Sequence, residues 1–200
     1  MCKAIPLEIL SIMENKNDRP LVSFIVTTYN LPTTLLCECL QSILSLSLSK
    51  EEREIIVVDD GSEVSPLNDL VELRDKIVYV RQRNKGLSEA RNMGLVCAQG
   101  KFIQFVDGDD YLIQAPYEHC LDIARYKDAD IILFHETEEE QPEVPFECNG
   151  PMTGSAYMHQ YNLRASACGY LFRANILGNL RFTPNLLHED EEFTPQLFLR

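Results

Sequence analysis

Four residues near the middle of the chain, Asp107-Gly108-Asp109-Asp110, place three carboxylates around a glycine. They follow the apolar run 102–106 (FIQFV), which is typical of a buried strand, so the acids lie where that strand leaves the core. Carboxylates this close repel one another unless a cation or strong hydrogen-bond donors hold them. Their oxygens favour a hard divalent cation such as Mg²⁺ or Mn²⁺, but Asp-Gly is also a common turn dipeptide. On these residues alone, a metal site and an acidic turn are both open.

Two earlier apolar runs also end in polar residues. Residues 21–27 (LVSFIVT) lead into Thr28-Tyr29-Asn30, and residues 54–58 (EIIVV) lead into Asp59-Asp60. Both runs are rich in β-branched residues and predict buried strands. In a parallel sheet, ligands bind outside the carboxyl ends of the strands, so all three polar tips are expected at one edge. Three such tips favour a metal and nucleotide site over an isolated turn.

The order of the predicted elements indicates the fold class. Strands are predicted at 21–27, 54–58, 77–80, 102–106 and 130–134, and helices at 33–46 (capped by Thr33 or Thr34), 67–73, 88–99 (capped by Ser88), 115–127 and 157–163, with an amphipathic stretch from 188. This alternation predicts a single-domain α/β fold with a mostly parallel, Rossmann-like sheet flanked by helices. Residues 1–19 form a lead-in, and the apolar or mixed patches 169–173 and 180–182 are expected to cover the acidic edge.

Composition narrows the class of protein. The chain has 200 residues, of which 45% are hydrophobic and 24% charged, as in an ordinary globular domain. The net charge of −13 argues against nucleic acid or an anionic membrane surface as the main partner. Seven cysteines without a Cys-x-x-Cys pair favour reduced thiols in a cytoplasmic protein. We expect neither a transmembrane segment nor a signal peptide, because no apolar run is long enough.

Five segments, in this order, resemble a family 2 glycosyltransferase with the GT-A fold. They are 22–30 (VSFIVTTYN), 54–62 (EIIVVDDGS), 84–92 (NKGLSEARN), 100–112 (GKFIQFVDGDDYL) and 188–193 (HEDEEF). The resemblance covers nearly all of 20–200. It implies a nucleotide-sugar-binding part over about 20–134 and an acceptor part with the catalytic base over about 135–200.

The resemblance also implies roles for single residues. Asp109, with Asp107, corresponds to the ligands of Mg²⁺ or Mn²⁺ on the donor diphosphate, and Asp107 also faces the ribose. Asp60 corresponds to the acid that accepts a hydrogen bond from the base. The other residues expected around the donor are Thr27, Tyr29, Asn30, Asp59, Lys85, Gly86, Arg91 and Gly108.

Asp190 corresponds to the catalytic base in the resemblance. It stands among Glu189, Glu191 and Glu192, so an ordinary acidic helix start is the alternative. A carboxylate at this place would take the proton from an attacking acceptor hydroxyl, and a single displacement inverts the anomeric centre.

The expected function is therefore an inverting, metal-dependent transfer of sugar from a nucleotide-diphosphate sugar, with UDP-sugar favoured, to a glycan or lipid-linked glycan in cell-surface polysaccharide synthesis. A protein of this function could act at the inner face of the membrane, in peripheral contact with it. A nucleotidyltransferase is disfavoured because residues 28–32 (TYNLP), not a glycine-rich loop, follow the first strand. A non-catalytic or truncated sugar-nucleotide-binding module stays open, because the sequence stops at Arg200, within the amphipathic stretch predicted from 188.

Overall fold

The computed structural model describes residues 19–137, 150–164 and 166–200, so almost all of the predicted lead-in lies outside the described residues. The strands are β1 (Val22–Thr28), β2 (Arg53–Asp59), β3 (Val78–Arg81), β4 (Phe102–Asp107), β5 (Ile131–Leu133) and β6 (Tyr170–Arg173). The α-helices are α1 (Thr33–Leu44), α2 (Leu87–Cys97), α3 (Gln114–Tyr126), α4 (Gly154–Gln160), α5 (Ala174–Leu177) and α6 (Glu189–Phe198).

These strands form one sheet in the order β3-β2-β1-β4-β6-β5. The first four run parallel, and β6 pairs antiparallel with both β4 and β5. The parallel core confirms the predicted α/β fold. Its register pairs Thr28 with Asp59 and Thr27 with Asp107, so three strands end side by side at one edge.

The prediction that residues 169–173 cover the acidic edge is wrong. Tyr170, Leu171 and Phe172 form most of β6 and are almost completely buried within the sheet. A short apolar run buried on both faces has no period of its own, so pattern alone does not separate a central strand from a covering segment.

Alternation along β1 supplies both faces of the core. Val22, Phe24 and Val26 face one cluster, which α1 and α3 complete with Leu36 and Leu121 among others. On the opposite face, Ile25 packs into a cluster that contains Phe105, Phe172 and Phe193. Because successive side chains of a strand point to opposite faces, one seven-residue strand anchors helices on both sides of the sheet.

Helix starts differ from the predicted caps. The N-cap of α1 is Pro32 rather than a threonine, and the N-cap of α2 is Gly86, with Ser88 buried inside the helix. The predicted helix 67–73 is instead two short 3₁₀ turns, Pro66–Asn68 and Val71–Leu73. Within the described ranges, no helix has the length and apolar character needed to cross a membrane.

Candidate active site

Backbone hydrogen bonds bring the predicted polar tips together. The Asp60 N–H donates to the Thr28 carbonyl at 2.9 Å, and the Gly108 N–H donates to the Thr27 carbonyl at 3.1 Å. The turn after β4 therefore lies directly against the end of β1. Gly108 permits this approach, because a Cβ at that position would lie 2.8 Å from the Thr27 carbonyl oxygen.

Arg91, on α2, is the centre of the site's electrostatics. Its Nη1 lies 2.9 Å from Glu189 Oε1 and 2.5 Å from Asp190 Oδ1, and its Nη2 lies 3.2 Å from Asp107 Oδ1. Only 2% of the Arg91 side chain is exposed. One buried guanidinium thus holds carboxylates from the end of β4 and from the start of α6, which are distant in sequence.

Aromatic packing holds the Arg91 guanidinium in place. It lies 5.9 Å from the centroid of the Phe105 ring and 5.4 Å from that of Phe182, within the range of cation–π attraction. Asn92 exchanges two hydrogen bonds with the backbone of Phe182, at 2.8 and 2.9 Å, and Phe193 of α6 stacks on the Phe182 ring. Helix α2 therefore fixes the segment that carries α6 into the site.

Asp190 has a protein donor on each carboxylate oxygen. Oδ1 accepts from Arg91, and Oδ2 accepts from the Ala167 N–H at 3.1 Å. Burial raises the pKa of Asp190 above its ordinary value, with Glu189 and Asp107 adding to the rise, although the Arg91 charge and the Ala167 N–H oppose it. Asp190 is therefore a fixed, partly buried carboxylate with a strengthened affinity for a proton, which suits a general base.

The acidic residues after β4 carry carboxylate oxygens, which are the ligands that a hard cation prefers. Asp109 is exposed, and no hydrogen bond or ion pair to its carboxylate occurs among the described residues. Asp107 directs only Oδ1 towards Arg91 and Thr27. Although Asp110 is exposed, partial desolvation of its carboxyl raises its pKa, and the charges of Asp107 and Asp109 raise it further.

No group of three or more His, Cys, Asp or Glu side chains that could hold a metal occurs in the described parts of the chain. Two carboxylates nevertheless fit Mg²⁺ or Mn²⁺, because Mg²⁺ is typically bound by one or two carboxylates and completed by substrate phosphates and water. The residues after β4 therefore fit a cation that arrives with a phosphorylated ligand.

Asp60 organises the loop that leads from β3 into α2. Its Oδ1 accepts from Gln82 Nε2 at 2.7 Å and from the Lys85 N–H at 3.0 Å, and its Oδ2 accepts from the Gly86 N–H at 2.8 Å. Gly86 has a φ of +88°, which a side-chain-bearing residue rarely adopts. The backbone of the basic loop is thus anchored by Asp60, while the Lys85 side chain is left to solvent.

Asp59 is completely buried, and its contacts are with protein. Its Oδ1 accepts from the Ser62 N–H at 2.8 Å, and its Oδ2 accepts from the Tyr79 hydroxyl at 2.7 Å and lies 3.3 Å from Arg81 Nε. Burial alone would raise the pKa of Asp59, but these hydrogen bonds and the Arg81 charge outweigh it and the pKa is lowered. The geometry gives Asp59 a structural role in shaping the loop after β2.

The tip of β1 contains one tethered and one open residue. Asn30 has a φ of +51°, its N–H donates to Ser62 Oγ, and its Oδ1 accepts from the Glu63 N–H, so it ties the first two strand ends together. Tyr29 is 51% exposed beside it. Thr27 is buried, and its hydroxyl reaches Asp107 Oδ1 at 3.5 Å.

The structure thus brings the predicted residues to one edge but gives them different surroundings. Tyr29, Lys85 and Asp109 are open to solvent, whereas Asp59 and Arg91 are enclosed by protein, so direct contact of these two with a ligand stays a prediction without geometric support. Sequence reasoning missed three participants, which are Glu189, Asn92 and the Ala167 N–H. The first two adjoin predicted site residues, but no sequence signal marks a backbone N–H.

Comparison with known proteins identifies the family. Residues 23–161 match the family model for glycosyl transferase family 2. The chain belongs to this family. Relatives of this family 2 chain include the uncharacterized glycosyltransferase EpsJ of Bacillus subtilis (strain 168), which is 31% identical over 198 residues, covering 90% of this chain and 56% of EpsJ. Another is the minor teichoic acid biosynthesis protein GgaB of the same organism, 27% identical over 173 residues, covering 82% of this chain and 19% of GgaB.

Among solved structures, residues 1–349 of TarS from S. aureus share the fold of this family 2 chain. The TM-score is 0.74 at 26% identity, with 88% of this chain and 55% of that chain covered. TarS in complex with UDP-GlcNAc gives a TM-score of 0.69 at 26% identity, covering 86% and 52%. The likeness confirms the GT-A-type fold. This chain spans little more than half of EpsJ and of TarS 1–349, and only 19% of GgaB.

Proposed function

We propose that this chain transfers a sugar from a nucleotide-diphosphate sugar, with UDP-sugar favoured, to an acceptor hydroxyl with inversion of the anomeric centre. The observation that supports the proposal most is that Arg91 forms ion pairs with both Asp107 and Asp190. These acids are 83 positions apart (190 − 107), yet both contact one guanidinium. On this proposal, one buried guanidinium would orient both a donor-side acid and an acceptor-side base.

The donor edge is proposed to hold the nucleotide. Tyr29 and Thr27 would line the base, and the exposed Lys85 side chain would meet the phosphates. A nucleotide sugar as donor is supported by the TarS neighbour in its complex with UDP-GlcNAc. Asp60, already committed to Gln82 and the loop N–H groups, would act on the base chiefly by fixing the walls of its pocket.

Asp109 and Asp107 would hold Mg²⁺ or Mn²⁺. When bound, such a cation supplies Lewis-acid neutralisation of the charge that develops on the departing diphosphate. Asp109 is the better placed of the two, because it has no competing hydrogen bond or ion pair from the described residues. Arg91 orients Asp107 by a direct ion pair.

Asp190 would accept the proton of the attacking hydroxyl. An ionised carboxylate offers about four lone-pair sites, so the two donors seen on Asp190 leave capacity for the acceptor hydroxyl. Attack opposite the leaving diphosphate needs no second nucleophile, and one displacement gives inversion. The acceptor is proposed to be a glycan or lipid-linked glycan of a cell-surface polymer, which the likeness to GgaB supports.

The proposal is tested with a panel of UDP- and GDP-sugars, incubated with Mg²⁺, Mn²⁺ or EDTA and with or without glycan acceptors. Release of nucleoside diphosphate that needs both a divalent cation and an acceptor supports it, and product stereochemistry by NMR tests the inversion. Release of pyrophosphate would instead indicate a nucleotidyltransferase. Tight donor binding with no turnover on any acceptor would indicate a binding module.

A further inference from the structure

A cavity of about 440 Å³ lies at the edge of the sheet opposite the candidate active site. Its wall includes Leu21, directly before β1, and Phe102, the first residue of β4, whereas the candidate site lies at the other ends of those strands. The cationic residues that line it come from the ends of α3 and β6 and from the segments before β1 and β4. They are Arg19, Lys101, Arg125, Lys127 and Arg173.

This concentration of positive charge is unusual for the chain. Five of its 18 Lys and Arg residues line this one cavity, against two acids, Glu51 and Glu52, in a protein of net charge −13. A concave surface lined mainly by one sign of charge focuses the local potential and attracts ions of the opposite sign.

Two of the five cations are part of the framework. Arg125 donates to the Ser47 carbonyl at 2.8 Å and lies 3.4 Å from Glu52 and 3.8 Å from Asp122. Because these groups already pair with most of its charge, we assign Arg125 to the wall of the cavity rather than to ligand binding.

Arg173 is similarly engaged. Its guanidinium lies 5.0 Å from the Phe102 ring centroid, donates to the Ala129 carbonyl, and lies 3.2 Å from Asp128 and 3.5 Å from Asp130. Both carboxylates are exposed, so solvent weakens these ion pairs without removing them.

The other three cations are available to a ligand. Within the described part of the chain, no carboxylate lies within 4.0 Å of the charged groups of Arg19, Lys101 or Lys127. The backbone of Lys101 is nevertheless fixed, because its N–H donates to the Pro20 carbonyl and its carbonyl accepts from the Ala174 N–H, both at 2.9 Å. Lys and Arg side chains that no described carboxylate engages can donate charge-assisted hydrogen bonds to a phosphate group.

We propose that this cavity, which we term the basic cavity, binds a phosphate group, either on a soluble phosphorylated molecule or on an anionic lipid. Lysine serves phosphate as a point charge, and arginine offers a planar fork of N–H donors. The basic cavity is separate from the donor edge, so it would be occupied without competition from the nucleotide. It would tether the domain to a phosphate-bearing surface or polymer while the candidate active site stays open.

The test compares a charge-reversed pair in the basic cavity with a matched pair elsewhere. Lys101→Glu with Lys127→Glu changes the charge by the same amount as Arg74→Glu with Lys76→Glu, whose residues are exposed and do not line the cavity. Binding is measured in EDTA, which suppresses the proposed metal-dependent diphosphate site. The probes are inorganic pyrophosphate by calorimetry, and phosphatidylglycerol or phosphatidylcholine vesicles by sedimentation.

The unmodified chain and the control pair should bind at least one phosphate probe. The Lys101 and Lys127 pair should lose roughly 25-fold in affinity, taking about fivefold for each lysine. Binding to phosphatidylglycerol vesicles alone identifies a lipid headgroup as the ligand, and binding of pyrophosphate identifies soluble phosphate. The proposal is overturned if the unmodified chain binds neither probe, or if both pairs lose affinity equally. Metal-dependent donor binding should be unchanged in the cavity variant, so this outcome is independent of the proposed transferase activity.

Discussion

Replacing Arg91 by methionine tests the ion-pair cluster that joins the two halves of the site. Methionine keeps a long, unbranched side chain against Phe105 and Phe182. It removes the positive charge that, among the described residues, pairs with all three carboxylates of the cluster, Asp107, Glu189 and Asp190. Removing one partner of a buried ion pair typically costs about 3–5 kcal/mol. The side chains of the three acids are 13%, 20% and 37% exposed, so water compensates part of this loss. We expect a loss of about 3 kcal/mol, the lower end of that range.

The assay is equilibrium unfolding in urea. With a slope of about 2 kcal/mol per molar urea, a loss of about 3 kcal/mol moves the midpoint down by about 1.5 M. Arg164→Met is the matched control, because its side chain is 71% exposed in its pair with Glu136 and such pairs contribute less than about 1 kcal/mol. If Arg91→Met unfolds at the same urea concentration as the control, the cluster does not stabilise the fold as argued. Adding Asp190→Asn to Arg91→Met should restore part of the loss, because it removes one uncompensated charge.

Three further predictions concern pH and packing. Because the pKa of Asp59 is lowered in the native state, its ionised form stabilises the fold above the unfolded pKa of about 3.9. This contribution is lost as the pH falls towards the folded pKa. In unfolding experiments, Asp59→Asn should therefore be less stable than the unmodified chain at pH 7, and the difference should shrink below about pH 4. Because the pKa of Asp190 is raised, the acid limb of the pH profile of kcat/KM should lie above about pH 3.9. Arg91→Lys should change the pH at which this limb occurs. A limb at or below about pH 3.9 would contradict a role for this carboxylate as base. Gly94→Ala should lose about 1–3 kcal/mol by overpacking, because an added Cβ would lie 2.2 Å from Ile25 Cγ2. Ile25→Ala removes Cγ2 and should suppress part of the loss in a double-mutant cycle.

Much of the site could be predicted because its residues follow from local patterns. Asp107 and Asp60 come directly after apolar runs, and the strand-end rule for parallel sheets brings such residues to one edge. The resemblance added Asp190, which no local pattern separates from its acidic neighbours.

The remaining features depend on tertiary contacts. Arg91 stands in a polar stretch of sequence. It is buried because Phe182, which Asn92 binds and Phe193 stacks on, packs against its guanidinium. Ser88 has the residue type of an N-cap, but the chain already turns at Gly86, whose N–H donates to the distant Asp60, and Ser88 therefore lies inside the helix. In both cases a long-range contact, absent from any sequence window, decides the environment.

The measurement that tests the central claim most directly compares Asp190→Asn with Asp109→Asn in donor binding and in sugar transfer. Asp190→Asn should keep metal-dependent donor affinity within about twofold and lose at least about 100-fold in transfer, the lower limit for loss of a general base. Asp109→Asn should weaken metal-dependent donor binding, and Glu191→Gln, an exposed neighbour on α6, should change neither quantity. Transfer by Asp190→Asn at the unmodified rate would contradict the assignment of Asp190 as the base.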